Sequence, residues 1–91
     1  MLEIKYSSKI KKQMKLIKRQ NKDMNKLVWV LNELANKRTL PESFCDHKLT
    51  GNLSKYRECH IEPDWLLVYK IEKEELVLVA VATGSHSTLF G

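Results

Sequence analysis

The sequence predicts an α+β fold of two layers, with a helical hairpin on one face of a mostly antiparallel sheet and the order β-α-α-β-β-β. Two amphipathic helical patterns follow one another within residues 8–35. Three β-like segments joined by short turns follow within residues 56–82, and one more lies at residues 2–6. The helices and the sheet each have an apolar face that must be buried, and packing the helices against the sheet buries both faces. At this length we expect one domain over residues 1–91.

The first strand and helix follow from residue spacing. Residues 2–6 alternate apolar and charged side chains, which predicts a strand. Ser7 or Ser8 then offers an oxygen to the unpaired amides of a helix start. The buried stripe of this helix recurs at i, i+4 and i+7: Ile10, Met14 and Ile17. Its lysines form a second stripe: Lys11, Lys15, Lys18 and Lys22. Such a row repels itself unless it is solvated or faces an anion.

The polar residues 21–23 break the helical pattern, and a second helix is predicted over residues 24–35. Its apolar side chains share one face: Met24, Leu27, Val28, Leu31, Leu34 and Ala35. Pro41 closes this segment, and residues 38–55 are predicted to form a loop with Pro41 and Gly51 as breakers.

Three strands are predicted in the second half, at residues 56–62, 65–71 and 76–82. In the first of them Cys59 and Ile61 lie on one face, and Glu58, His60 and Glu62 on the other. Pro63-Asp64 suits the tight turn that follows. The last strand is almost continuously apolar, so we expect it to be central.

Charge is distributed unevenly along the chain. Residues 1–38 hold 11 lysines and arginines against three acidic residues, whereas residues 39–91 hold five against eight. The net charges of the two parts are therefore +8 and −3. A basic surface is typical of proteins that bind nucleic acid or an acidic protein, and it is also compatible with an ordinary solvated helix face.

The apolar segments argue against a membrane protein. The longest run, residues 76–82, is far shorter than a bilayer span, and the first residues lack the apolar core of a signal peptide. We therefore expect the cytoplasm and no membrane partner. Cys45 and Cys59 do not make a disulfide framework, and we interpret them as reduced, partly buried apolar side chains.

Three histidines, all in the second half, are the candidate reactive groups: His47, His60 and His86. Histidine can take and give protons near neutral pH. We expect His60 on the open face of the sheet, with Arg57 near one end of its strand and Asp64 at the adjoining turn. The apolar pair at residues 89–90 is expected to dock and hold His86 in place.

Together with Asp64, these histidines suit acid–base cleavage of RNA. The reaction needs a base for the 2′-hydroxyl proton, an acid for the leaving 5′-oxygen, and a cation at the phosphate. Arg57, with Lys48 or Lys55, is predicted to supply the cation. The candidates for stacking on unpaired bases, each of which also suits the core, are Tyr56, Trp65, Tyr69 and Phe90.

Zinc binding is the competing chemical interpretation, since histidine, cysteine and aspartate all ligate zinc. Cys59 and His60, however, are adjacent and should point to opposite faces. The sequence also lacks a C-x-x-C or H-x-x-x-H pair. We therefore predict no metal and no cofactor.

Three ordered blocks carry a family resemblance: DHKLTG at 46–51, YRECHIEPDWLLVYK at 56–70 and TGSHSTLF at 83–90. They resemble the YafQ branch of the RelE/ParE toxin superfamily, as do the β-α-α layout before them and DMNKL at 23–27. The resemblance covers essentially the whole chain. It implies a RelE-like fold and the toxin of a type II toxin–antitoxin pair, which cleaves mRNA in the ribosomal A site by 2′-hydroxyl attack without metal.

The resemblance also implies roles for individual residues. The family's acid–base positions correspond to His47, His60, Asp64 and His86, with His86 as the general acid, and aromatic positions near the site correspond to Trp65 and Phe90. Ribosomal RNA becomes the expected partner of the basic stripe: Lys11, Lys15 and Lys18. A cognate antitoxin with an acidic segment is implied as well, and the toxin–antitoxin complex would bind operator DNA.

One position departs from the family pattern. Relatives commonly have arginine two residues before the glycine of the G-[ST]-H block, where this chain has Ala82. Either Arg57 or a lysine supplies that charge, or the protein is a slow nuclease, because a lost cationic contact costs on the order of a hundredfold in rate. Two alternatives stay open: a non-enzymatic ParE-like toxin that poisons gyrase, and a basic nucleic-acid-binding module.

Overall fold

A computed structural model describes residues 1–90 as a five-stranded sheet with helices. The elements in chain order are β1 (Glu3–Tyr6), α1 (Ser8–Arg19), α2 (Met24–Ala35), β2 (His47–Lys48), β3 (Arg57–Glu62), β4 (Trp65–Glu72), β5 (Val77–Gly84) and α3 (His86–Phe90). Two short 3-10 turns, Glu42–Phe44 and Gly51–Leu53, flank β2. The predicted α+β class is confirmed. In the described residues no helix is long and apolar enough to cross a membrane.

The sheet has the strand order β1-β5-β4-β3-β2. Within the described residues, β1 and β5 run parallel and the other neighbouring strands are antiparallel. The predicted mostly antiparallel sheet is therefore confirmed. The apolar strand β5 lies between β1 and β4 and not at an edge, as its composition predicted.

Both helices begin at N-caps: α1 at Ser7, as the sequence predicted, and α2 at Asp23, one of the polar residues that separate the two helical patterns. Ser7 Oγ accepts the amide of Ile10 at 3.0 Å and donates to the carbonyl oxygen of Val81 at 2.6 Å, so it also ties α1 to β5. Asp23 Oδ1 accepts the amide of Asn25 at 3.0 Å and begins α2. An N-cap of this kind satisfies amides that have no partner within the helix.

The main core lies between the two helices and one face of the sheet. Side chains from α1, α2 and the strands meet there, among them Ile10, Leu27, Leu31, Cys59, Trp65 and Leu78. One predicted core residue was wrong: Val28 is exposed, and Val30 is buried instead. The buried face of α2 follows residues 27, 30, 31, 34 and 35, so Val28 lies at its margin.

Three features of the second half were not predicted. β2 lies inside the segment expected to be a loop, and its two residues pair with β3. β5 begins at Val77, because Leu76 is in the preceding turn with a φ of 56°. The chain continues past the predicted strand end to Gly84 and then forms α3, a helix too short to show a hydrophobic period.

Candidate active site

The face of the sheet away from the helices carries the histidines. Cys59 and Ile61 join the helix-side core, so Glu58 and His60 point to the opposite face. The strand register places His47, Glu58, Val68 and Ala82 side by side in one row across four strands. A groove of about 400 Å³ lies over this face, and we call it the histidine groove. Its lining includes His47, Glu58, His60, His86 and Phe90.

Glu58 is the carboxylate at the base of the groove, and it was not among the predicted site residues. It is only 4% exposed, and its Oε1 lies 3.6 Å from His60 Nε2 and 3.8 Å from His47 Nε2. This buried carboxylate therefore lies between two imidazole rings and faces the Nε2 atom of each. The signal was present in the sequence, because Glu58 and His60 are two residues apart on one strand and therefore share a face.

His60 and His86 face one another across the groove. Their ring centroids are 6.5 Å apart, and the ring of His86 lies 5.6 Å from that of Phe90. His86 is exposed, whereas His60 is partly buried. Both rings line the same groove, so one phosphate group bound there can contact both imidazoles.

His86 is held by contacts at the end of the groove where β5 ends and α3 begins. Asp64, in the turn between β3 and β4, accepts the backbone amide of His86 at 3.4 Å. Ser85 Oγ accepts the amide of Thr88 at 3.2 Å at the start of α3. Asp64 therefore orients the segment that carries His86, and its exposed carboxylate remains open to solvent.

Arg57 does not lie in the histidine groove, which corrects the predicted site. It is two residues from Cys59 and shares the helix-side face, where its Nε lies 3.3 Å from both Asp46 Oδ1 and the Tyr69 hydroxyl. The Tyr69 hydroxyl donates to Asp46 at 2.6 Å. Lys48 pairs with Arg57 in the register and points the same way. The same strand alternation that predicted the face of His60 also predicts that Arg57 points to the opposite face.

Trp65 is also corrected as a candidate base-stacking residue. It is 1% exposed, belongs to the helix-side core, and donates from Nε1 to Thr83 Oγ1 at 2.9 Å. Tyr69 is equally buried, so neither ring is available to a nucleobase. Phe90 remains exposed beside His86, and Tyr56 is partly buried.

The predicted basic residues lie outside the groove. Ile10 and Ile17 turn one side of α1 to the core on the helix-covered face, and the lysine stripe is exposed on the outside of α1: Lys11, Lys15 and Lys18. Within residues 1–90, none of these three lysines forms an ion pair. Lys55 is exposed just before β3. The stripe is thus a surface separate from the histidines.

The cysteines are both free thiols. Cys59 is fully buried on the helix side, and burial raises the pKa of its thiol to about 12. Cys45 is exposed. Because Cys59 and His60 point to opposite faces, they cannot ligate one zinc ion together. Among residues 1–90 no three histidine, cysteine, aspartate or glutamate side chains are grouped closely enough to hold a metal ion.

Two histidines that face one groove, with a buried carboxylate behind one of them, form a candidate acid–base site on the open face of a small α+β sheet. The chain belongs to the YafQ family, bacterial toxins of type II toxin–antitoxin systems, whose sequence profile matches residues 2–91. The resemblance found in the three sequence blocks is thereby confirmed.

Individual relatives cover nearly the whole chain. The mRNA interferase toxin YafQ of Escherichia coli K12 is 41% identical over 90 residues, which are 98% of this chain and 96% of that protein. The crystal structure of a metal-bound toxin from Helicobacter pylori has a TM-score of 0.94 at 43% identity, covering 99% of this chain and 100% of the other. A chain of the E. coli DinJ–YafQ complex has a TM-score of 0.89 at 39% identity, with complete coverage of both chains.

Proposed function

We propose that this chain is an mRNA interferase, an endoribonuclease toxin that cuts mRNA in the ribosomal A site. Membership of the YafQ family and the name of the E. coli relative support this activity. The observation that carries the proposal is the pair His60 and His86, 6.5 Å apart with the buried Glu58 behind His60. A protein that only binds a partner has no need of such an arrangement.

The proposed reaction uses the residues of the groove in acid–base roles. A base removes the 2′-hydroxyl proton, and the 2′-oxygen bonds to the adjacent phosphorus as the bond from phosphorus to the 5′-oxygen breaks. His86 donates a proton to that leaving oxygen, which gives a cyclic phosphate and a 5′-hydroxyl end. His60 is supported as the base because Glu58 lies 3.6 Å behind it. His47 and Asp64 are the alternative bases, and coupled groups can share this role.

Within residues 1–90, no arginine is among the side chains that line the histidine groove. Ala82 lies on the histidine face opposite Val68, and Arg57 is held by Asp46 and Tyr69 on the other face. A protonated histidine would then be the groove's source of positive charge. This supports a nuclease that is slower than relatives with arginine at the place of Ala82.

The proposed partners follow from the same assignment. A relative of this chain is found in a complex named DinJ–YafQ, which supports a cognate antitoxin for this protein. The toxin would act in the cytoplasm on ribosomes, with the stripe of Lys11, Lys15 and Lys18 against ribosomal RNA. Binding to operator DNA would occur only through the complex with the antitoxin.

Expression in bacteria tests the proposal. Wild-type protein should arrest growth and fragment cellular mRNA, whereas His86→Ala should restore growth and leave mRNA intact, with Asp64→Ala intermediate. Circular dichroism and antitoxin binding establish that the variants fold. Growth arrest with intact mRNA and damaged DNA would instead support the ParE-like alternative. Arrest and mRNA cleavage unchanged in both variants would overturn the catalytic assignment.

A further inference from the structure

A second pair of aromatic rings lies at the edge of the sheet, outside the histidine groove. Trp29 on α2 is 44% exposed, and its ring centroid lies 5.6 Å from that of Phe44, with the planes at 40°. Phe44 packs partly against the core, whereas Trp29 is not on the buried face of α2. A half-exposed tryptophan supported from below by a second ring is a suitable platform for an unpaired nucleobase.

Two neighbouring hollows lie between this pair and the histidines. One hollow of about 370 Å³ is bounded by Trp29, Phe44 and Ile61, and a second of about 470 Å³ by Phe44, Ile61 and His60. His60 also lines the histidine groove. Phe44 and Ile61 line both hollows, so the two are adjacent, and His60 links the second of them to the groove.

The edge of β3 along this path has no strand paired to it. β2 pairs only with Arg57 and Glu58, so within residues 1–90 no strand lies outside β3 from Cys59 onward, and the turn Glu42–Phe44 lies there instead. The hollow between this turn and His60 is the place where a single-stranded chain would cross the sheet edge. A segment of the antitoxin or of another protein could occupy the same place. We favour nucleic acid, because its bases stack on aromatic side chains and its phosphodiester bond is the substrate that the neighbouring groove suits.

Two lysines lie beside the platform. Lys26 Nζ lies 2.9 Å from Glu62 Oε2, and Lys22 Nζ lies 3.9 Å from Glu62 Oε1. The hydrogen bond from Lys26 lowers the pKa of Glu62, which is therefore a carboxylate at neutral pH. Asp23 lines the same hollow as Lys26, so the two ammonium groups face two carboxylates. An RNA phosphate bound here would compete with Glu62 for Lys22 and Lys26.

We propose that Trp29 and Phe44 form a base-binding subsite for the mRNA, in which a nucleobase flanking the scissile phosphate stacks on Trp29. Lys22 and Lys26 hold the backbone beside it. This proposal rests on the proposed function and names where the substrate extends beyond the acid–base residues. The chain has two tryptophans, and Trp65 is buried, so Trp29 is the indole that RNA can reach.

Fluorescence provides the binding test. A short single-stranded RNA is titrated into the His86→Ala protein, which retains Trp29 and should not cut the RNA. We expect quenching of tryptophan emission, and its loss in the His86→Ala, Trp29→Phe double variant. Absence of quenching by RNA would overturn the subsite. Quenching by mRNA-free ribosomes but not by the short RNA would overturn the mRNA assignment, because the stacked base would then belong to ribosomal RNA.

Cleavage of translated mRNA provides the functional test. Trp29→Ala should lower kcat/KM about tenfold through the loss of one stacked base. Trp29→Phe should retain activity within about threefold, because the ring is kept. Val28→Ala is the matched control, since Val28 is an exposed apolar neighbour on the same helix, and it should not change the rate. Circular dichroism establishes that each variant folds.

The outcomes separate this proposal from the proposed function. If wild type cuts and Trp29→Ala cuts equally fast, the subsite is wrong and the nuclease stands. If Trp29→Ala weakens only antitoxin binding, the platform is a protein-binding surface and the subsite is again wrong. If wild type does not cut translated mRNA at all, the proposed function fails and the subsite fails with it.

Discussion

At the scale of single residues, the site depends on which face of a strand each side chain occupies. Alternation from Cys59 correctly predicted that His60 points away from the helices, and the same rule identifies Glu58 as its neighbour. The predicted position of Arg57 was wrong because the prediction relied on its closeness to His60 in the sequence. The two residues are an odd number of positions apart on one strand, so their side chains point to opposite faces. The sequence could not show whether Trp65 is buried, since a tryptophan on a strand suits either the core or the surface. It is buried here because its face of the sheet is covered by the helices.

Glu58→Gln tests the role of the buried carboxylate. The amide keeps the shape of the side chain but removes the negative charge between His47 and His60. We expect kcat for mRNA cleavage to fall about tenfold or more, as part of an acid–base contribution of about 10²–10⁴. KM should change little, because Glu58 does not face the solvent. Glu3→Gln, at an exposed position on the far edge strand β1, is the control. Equal kcat in wild type and Glu58→Gln would show that Glu58 plays no part.

Ala82→Arg tests whether the missing cation limits the rate. Ala82 shares the histidine face with Glu58 and lies opposite Val68, so an arginine there would extend along the groove. We expect cleavage to accelerate by about tenfold or more.

Val79→Arg is the matched control for this gain. Val79 pairs with Lys70 and lies on the same face as Ala82 but farther from the histidines along β5. An arginine at this position therefore adds the same charge at a greater distance from the histidines. An equal acceleration in both variants would mean that general charge, and not position, raises the rate. No acceleration in Ala82→Arg would exclude Ala82 as the limiting position.

At the scale of elements, local signals predicted the long segments and missed the short ones. α1 and α2 were predicted because the apolar spacing agrees with polar residues that can cap a helix. β1 was predicted from its alternation, and β3, β4 and β5 from apolar patterns bounded by turns. β2 and α3 have two and five residues, too few to show a period. They form because the neighbouring strands β3 and β5 are already in place, which is tertiary information.

The pairing of β3 and β4 buries two groups that must stay neutral. Burial raises the pKa of the Cys59 thiol to about 12, and burial together with the hydrogen bond to Asp46 raises the pKa of Tyr69. In the unfolded chain both ionise at ordinary values, so above about pH 9 the unfolded state loses protons that the folded state keeps. Stability should therefore decrease as pH rises.

Urea unfolding between pH 7 and 10.5 measures this effect. The free energy of unfolding should be flat up to about pH 8.5 and then decline by up to about 1.4 kcal/mol per pH unit for each group. Cys59→Ala should be less stable at pH 7 but show a shallower decline. A free energy that stays constant to pH 10.5 would contradict the neutral burial of these side chains.

At the scale of the whole molecule, the lysine stripe and the candidate active site lie on different sides of the protein. The lysine stripe lies on the outside of α1, on the helix-covered side of the sheet, and the histidines lie on the open face. The composition predicted the charge asymmetry, but only the packing of α1 shows that the stripe cannot line the groove. Its proposed role is association with ribosomal RNA, apart from the cleavage step.

Charge reversal tests that division. The triple variant Lys11→Glu, Lys15→Glu and Lys18→Glu should require at least about tenfold more protein for half-maximal cleavage, with an effect that diminishes as salt rises. Cleavage at saturating protein should remain near the wild-type rate. The control reverses three exposed lysines elsewhere: Lys5, Lys37 and Lys73. If the stripe variant lost its saturating rate as fully as His86→Ala does, the basic-module alternative would be preferred.

Cleavage in a cell-free translation reaction tests the central claim most directly. Wild type and His86→Ala are treated with EDTA, freed of it, and compared on translated mRNA and on the same RNA without ribosomes. We predict site-specific cuts in translated mRNA by wild type, little or no cutting of RNA alone, and no cuts by His86→Ala. Intact mRNA in an actively translating reaction with wild-type protein, or equal cutting by His86→Ala, would contradict the assignment of this groove as a ribonuclease site.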